Sequence, residues 1–306
     1  MPRARFDVFI SHSGKNTAQA ETIEAGLGAK RVWLDRSEIR LGALLGRELL
    51  ANIRASRGLV LVWSKHAAQS PWVQSEWIAA ANLGKPIVPV RLDKTPLPQS
   101  LGNTLWRQGG GASLEGFVDE LARTIRDGLS LGPSISPSMR LPNPRLEAEV
   151  TRLALAQRTM FDDFYGGSQA KARRRQRLLE TQTTALVKKY PRDPRAAALW
   201  AYNEKNSVIL EHDDDIMAGI KVDDARLEEA RWRFLHGLWL DPLDPEALNG
   251  LGTIAWFAHD LDTAEFFVRA ALRRLPDYAD AKHDLNLILD LKRRSRLRSK
   301  RSVTTT

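Results

Sequence analysis

The chain has 306 residues, 43% hydrophobic and 27% charged, the composition of a soluble globular protein with room for about two domains. It contains no cysteine, which excludes disulfides, thiolate metal sites and cysteine nucleophiles and fits a reducing, cytoplasmic setting. Its formal charge of +9 invites a nucleic-acid reading, but residues 1–132 carry only 17 basic against 12 acidic side chains, and the excess sits at the far end of the chain.

Met1-Pro2-Arg3-Ala4-Arg5 carries no apolar leader core and runs directly into a strand candidate, Phe6-Asp7-Val8-Phe9-Ile10. A helix follows from Asn16 to Leu27, with Ala20, Ile23 and Leu27 on one face. Arg31-Val32-Trp33-Leu34 is a second strand, and Leu45, Leu49 and Ile53 form an apolar stripe at spacing four. Gly58 to Trp63 is a continuous apolar strand, and Pro86-Ile87-Val88-Pro89-Val90 is another. A last helix carries Phe117, Leu121, Ile125 and Leu129. Apolar strands without alternation, separated by amphipathic helices, predict a parallel sheet covered by helices on both faces, an α/β architecture. Ligands bind such sheets at the carboxyl ends of the strands, here the loops after Ile10, Leu34 and Trp63.

Between the last two strands lies Ser70-Pro71-Trp72-Val73-Gln74-Ser75-Glu76. Ser70 suits an N-cap and Pro71 a first helical position, so a helix starts here and places Trp72 and Glu76 on one face, four residues apart. An acid beside a flat apolar ring at the end of a buried strand is suited to binding a nucleotide and to stabilising positive charge that develops on its sugar. The alternative for Glu76 is a surface position on its helix.

Gly132 to Pro144, rich in proline and serine, reads as a linker, and the chain beyond it as helical. Pro242 and Pro276 lie 34 residues apart with matched approaches, Ala230 and Phe234 before the first, Ala264 and Val268 before the second. With small residues at Gly252, Ala264 and Ala271, this segment resembles the tetratricopeptide repeat (TPR), a helical solenoid whose concave face binds a protein or peptide. Pro194-Arg195-Ala196-Ala197-Ala198-Leu199-Trp200 opens an earlier copy lengthened around Glu211-His212-Asp213-Asp214-Asp215, Pro191 closes a more divergent unit, and Ala279 to Leu291 caps the array. Residues 292–301 then hold seven cations and no acid. Without interleaved aromatics for base stacking, they read as a basic, disordered tail over 293–306, the one place where nucleic acid could bind. The expected boundaries are 1–131, a linker at 132–145, a helical domain at 146–292 and the tail at 293–306.

The opening Phe6-Asp7-Val8-Phe9-Ile10-Ser11-His12-Ser13, with Val32-Trp33-Leu34-Asp35 and Ile39-Arg40-Leu41-Gly42, resembles the Toll/interleukin-1 receptor (TIR) domain. Ser64, Ser70-Pro71-Trp72, Glu76 and Gly84-Lys85-Pro86-Ile87-Val88-Pro89-Val90 follow in the family's order, so the resemblance spans roughly residues 5–130. It implies a flavodoxin-like fold and one of two activities. Some family members are non-catalytic adaptors that act through protein–protein contacts. Others cleave NAD+ between nicotinamide and ribose, as substrate rather than cofactor, and carry a glutamate in the Trp-x-x-x-Glu arrangement matched by Trp72 and Glu76.

By that resemblance Glu76 is the catalytic carboxylate, and Ser11, His12, Ser13, Asp35 and Trp72 bind substrate. Turn chemistry is the alternative for Ser11, His12 and Ser13, and local capping of Ser37 and Glu38 for Asp35. The products would be nicotinamide and ADP-ribose or a cyclic isomer. The loop that begins at Asp35 serves self-association and substrate cover in the family, so other TIR domains are expected partners. Arg40 stands where some cleaving members have an acid. A repeat joined to an NAD-consuming effector resembles bacterial antiphage systems. No metal site is expected: the histidines (His12, His66, His212, His236, His259, His283) form no pair at ligand spacing, and Asp213-Asp214-Asp215 lacks a calcium loop's alternation. Gly109-Gly110-Gly111 lacks the ending of a phosphate loop.

Overall fold

The computed structural model describes residues 5–28, 32–34, 45–101, 107–108, 114–126, 131, 135 and 143–303. The chain divides into two compact units, 1–137 and 138–306.

In the first unit, strands β1 (Phe6–Ser11), β2 (Val32–Leu34), β3 (Ser56–Trp63), β4 (Ile87–Arg91) and β5 (Arg107–Gln108) form one sheet. All pairs are parallel and the order is β2-β1-β3-β4-β5, the flavodoxin-like winding. Ile10 pairs with Leu34 on one side and Val60 on the other, so β2 ends one residue short of the end of β1 at Ser11, and β3 runs two residues past Leu61, the partner of Ser11. Alternation divides the strand residues between two covered faces. Val8, Ile10, Val60 and Val62 pack with Ala20 and Ile23 of helix α1 (Thr17–Leu27) and with Phe117, Leu121 and Ile125 of α5 (Leu114–Arg126). Phe9, Leu59, Leu61 and Trp63, also buried, point to the opposite face, where α2 (Gly46–Ala55) and α4 (Pro71–Asn82) lie against each other and against the sheet. Short helix α3 (Lys65–Ala68) precedes α4. The stripe Leu45, Leu49 and Ile53 is buried as its spacing requires.

The second unit is all helical: α6 (Pro144–Tyr165), α7 (Gln169–Lys189), α8 (Pro194–Ala218), α9 (Ala225–Leu240), α10 (Pro245–Phe257), α11 (Leu261–Arg274) and α12 (Ala279–Val303). Its starts are written in the sequence. Asn143, Asp193, Asp224, Asp244 and Asp260 each accept a hydrogen bond from a backbone N–H of the first turn, and Pro144, Pro194 and Pro245 take first-turn positions. Each helix packs on the next, and α6, α8, α10 and α12 also meet in succession, which makes a two-layer helical repeat.

Close approach is bought by absent side chains. A Cβ on Gly250 would fall 2.1 Å from the Phe234 ring, and one on Gly252 would fall 2.7 Å from Val268.

The extra residues of the earlier repeat fall at the acidic segment. They lengthen α8, which runs through Asp213 to Ala218 with one non-helical residue, His212 (φ −124°, ψ 20°), and closes on left-handed Gly219. The basic segment is helical rather than disordered, because α12 continues to Val303. Its run of Arg, Lys, Leu and Ser contains no Gly or Pro to stop it, Lys292 pairs with Asp262 and Glu265, and Arg294 pairs with Asp290. The linker expected at 132–145 falls largely outside the described residues, and α6 takes its last two positions.

Candidate functional site

Helix α4 begins as its sequence dictates: Ser70 is extended and accepts from the Val73 amide at 3.3 Å, and Pro71 opens the first turn. From Val73 to Asn82 every residue is buried, so the helix lies deep on its sheet face. Glu76, in the second turn, is 0% exposed. Its Oε2 accepts from the Ser11 hydroxyl at 2.5 Å. Ser11 is the last residue of β1 and equally buried, on the strand parity of Phe9, which is the α4 side. The carboxyl therefore meets the sheet at the strand-end edge. Trp72, half-buried, stands one turn earlier on the same face of α4.

The other predicted residues are placed differently. His12, half-buried, holds its Nε2 3.4 Å from the Thr17 hydroxyl at the start of α1. Ser13 accepts from the Lys15 amide at 3.4 Å and caps the 3-10 turn Gly14–Asn16, which is turn chemistry. Asp35 lies outside the described residues, as do Arg40 and the glycines at 109–111. Trp33, half-buried, stacks on Phe9 with centroids 4.9 Å apart, and Trp63 is fully buried in the core with its Nε1 donating to the Pro96 carbonyl at 2.9 Å.

A set of polar ties behind this edge was not anticipated. Ser64, just past β3, donates to Asn16 Oδ1 at 2.6 Å and accepts from the His66 and Ala67 amides at 3.2 Å, capping α3. Asp93, just past β4, accepts from the Lys65 amide at 2.9 Å and the Thr95 amide at 2.8 Å. Burial alone would raise the Asp93 carboxyl, but the hydrogen bonds from Thr95 and Lys65, together with the Arg91 charge, hold it below the ordinary value. The ends of β1, β3 and β4 are thus fastened to one another. Ser64 before Lys65-His66-Ala67 is a readable cap signal; its partner Asn16, 48 residues away, is not.

Chemically, a buried carboxyl with a hydroxyl donor, at the carboxyl edge of a parallel sheet, can stabilise cationic charge or bind sugar hydroxyls. In the helical unit Glu211, His212 and Asp224 bring possible ligand atoms within 4.8 Å of one another. Spacing missed this group because it spans α8 and the start of α9. Its cation is already internal: Arg226 donates to Glu211 Oε2 at 2.7 Å and to Asp224 Oδ1 at 3.0 Å. Among the described residues no helix is long and apolar enough to cross a membrane.

No curated protein matches this chain. The helical unit is a helical-repeat region by its architecture, and no TPR family model matches it. Residues 8–122 match the family model described as "TIR domain", the span that contains the sheet, Ser11, Trp72 and Glu76, and the N-terminal unit is therefore a TIR domain.

Proposed function

We propose that the TIR domain cleaves NAD+ at the nicotinamide–ribose bond, with Glu76 as the essential carboxylate. The observation that supports this reading is the pairing of a fully buried Glu76 with the Ser11 hydroxyl at the carboxyl edge of the sheet, 2.5 Å apart. When the glycosidic C–N bond breaks, its electron pair neutralises the pyridinium nitrogen, so the leaving group needs no general acid. The ribose becomes oxocarbenium-like, a charge that a carboxylate in a dry site stabilises. Water then adds to that carbon and releases a proton, giving ADP-ribose; closure onto another nucleophile of the same molecule gives a cyclic isomer. Trp72 offers a flat apolar face beside the acid. Self-association of TIR domains would complete the site, and the helical unit would hold or trigger the assembly.

A second reading, a non-catalytic adaptor, draws on the same burial: at 0% exposure Glu76 can be a tie between α4 and β1 and nothing more. The test is nicotinamide release from NAD+ by purified protein, free and crowded on beads, beside Glu76→Gln. Release by the wild type that falls by about 10²-fold or more in the variant supports catalysis. No release in either format refutes it, and equal release by both removes Glu76 from the role.

A further inference from the structure

Helices α6, α8, α10 and α12 of the repeat enclose a groove of about 600 Å³, within the size range of ligand sites. Its lining is unbalanced in charge. Asp162, Asp213, Glu246, Asp280 and Asp284 face Arg158 and Lys205. Its walls are aromatic, with Tyr202, Tyr278 and Trp256 among them.

The floor is built rather than incidental. The Tyr202 hydroxyl donates to the Glu246 carbonyl at 3.0 Å and lies 3.1 Å from the Tyr278 hydroxyl. Asn249 donates to Asp284 at 2.9 Å. That bond fixes the orientation of the Asn249 amide and leaves its Oδ1 buried without a partner; Asn206 Oδ1 is buried and unpartnered as well. Asn249 is 1% exposed and Asn206 3%. Two orphaned acceptors in a groove this acidic call for a ligand that brings donors and positive charge. Lys205 already demonstrates the chemistry, with its Nζ 5.0 Å from the centre of the Tyr202 ring.

The chain supplies its own complement. Residues 292–301 concentrate seven cations without an acid; Lys292 is held within its own copy by Asp262 and Glu265, and Arg293 and Arg294 beyond it are exposed, Arg294 beside Asp290 one turn earlier. It cannot serve its own groove. Asp280 and Asp284 sit in the first turns of the same α12, so at about 1.5 Å per residue the positions 293–301 lie about 14 to 26 Å further along one helix.

We infer that the acidic groove of one copy receives the basic end of α12 from a second copy. The contact is head-to-tail: each copy offers a groove at one place and a basic helix end at another, so association continues from copy to copy unless a ring closes.

Two full-length variants test this. In the first, Arg293, Arg294, Arg296, Arg298, Lys300 and Arg301 become Gln, which keeps helix propensity and removes charge. In the second, exposed Asp162 and Asp280 become Lys. Sedimentation of the intact chain should show mass rising with concentration between about 1 and 100 µM in about 0.05 M salt, and little association in about 0.5 M salt. Each variant alone should lose this salt-sensitive association, and their equimolar mixture should regain a single contact that pairs one copy of each variant and goes no further. A synthetic 290–303 peptide should saturate the groove of the first variant one-to-one, a measurement independent of how the second variant folds. The inference is overturned if the intact chain is monomeric throughout, if either variant associates as the intact chain does, if the mixture stays monomeric, or if the peptide does not bind. Association preserved in both single variants would assign it to the TIR domain instead.

Discussion

Removing the Ser11 hydroxyl isolates the contact on which the site is built. Ser11→Ala deletes the donor that stands 2.5 Å from Glu76 and creates little space. Removing one partner of a buried hydrogen bond costs about 1–3 kcal/mol, and here both partners are 0% exposed, so water cannot replace the donor without local opening. At about 2 kcal/mol the opening equilibrium shifts roughly 30-fold, since each 1.4 kcal/mol is tenfold. Glu76→Gln is the control: it keeps an acceptor oxygen of the same shape, so opening should change tenfold or less. Native-state hydrogen exchange of the β1 and α4 amides reads this region separately from the helical unit. The expected order is a large loss of protection for Ser11→Ala and a small one for Glu76→Gln. Protection unchanged in Ser11→Ala would refute the energetic argument.

Gly250→Ala should lower the unfolding temperature of the helical unit, because its Cβ would fall 2.1 Å from a Phe234 ring that is itself fully buried. Over-packing of about 1–3 kcal/mol outweighs the roughly 1 kcal/mol gained in helix propensity. Gly237→Ala, whose Cβ meets nothing nearer than 3.5 Å, should be tolerated in the same melt. Ser64→Ala removes the α3 cap and the bond to Asn16 together, and a loss of about 1–3 kcal/mol is expected in exchange of the β3 and α3 amides. Asp224 is held at about 2 chiefly by the hydrogen bond from Arg226. Because the folded value lies below the ordinary 3.8, its contribution is complete above about pH 4 and is lost as pH falls toward 2. Urea titrations of the wild type should weaken across that window, and Asp224→Asn should flatten the slope.

Much of this molecule follows from local sequence. The apolar run to Trp63 and the pair Ser70-Pro71 fix a buried strand and the start of α4, and the Asp-Pro and Asn-Pro steps fix helix starts in the repeat. Trp72 and Glu76 share a helical turn by spacing alone. What spacing does not give is the partner of each side chain. Strand parity decides that Ser11 reaches Glu76 while Ser13, two residues later and past the strand, caps a turn. Likewise, Asn16 and Ser64 meet because β1 and β3 are neighbours in the sheet, a fact of topology. The continuation of α12 was missed for a different reason: charge density argues for solvation, while the same arginines and lysines are good helix formers with carboxylates in reach.

The hydroxyl of Tyr202 on α8, the amide of Asn249 on α10 and the carboxylate of Asp284 on α12 form one continuous chain of hydrogen bonds across three successive repeats. Repeat arrays ordinarily behave as nearest-neighbour systems, in which a terminal helix frays without consulting those farther in. Here α12 cannot detach without leaving buried Asn249 short of Asp284, so the end of the array is bound into the cooperativity of its middle. The helical unit should therefore melt as a single block, with no separate early transition for its last helix.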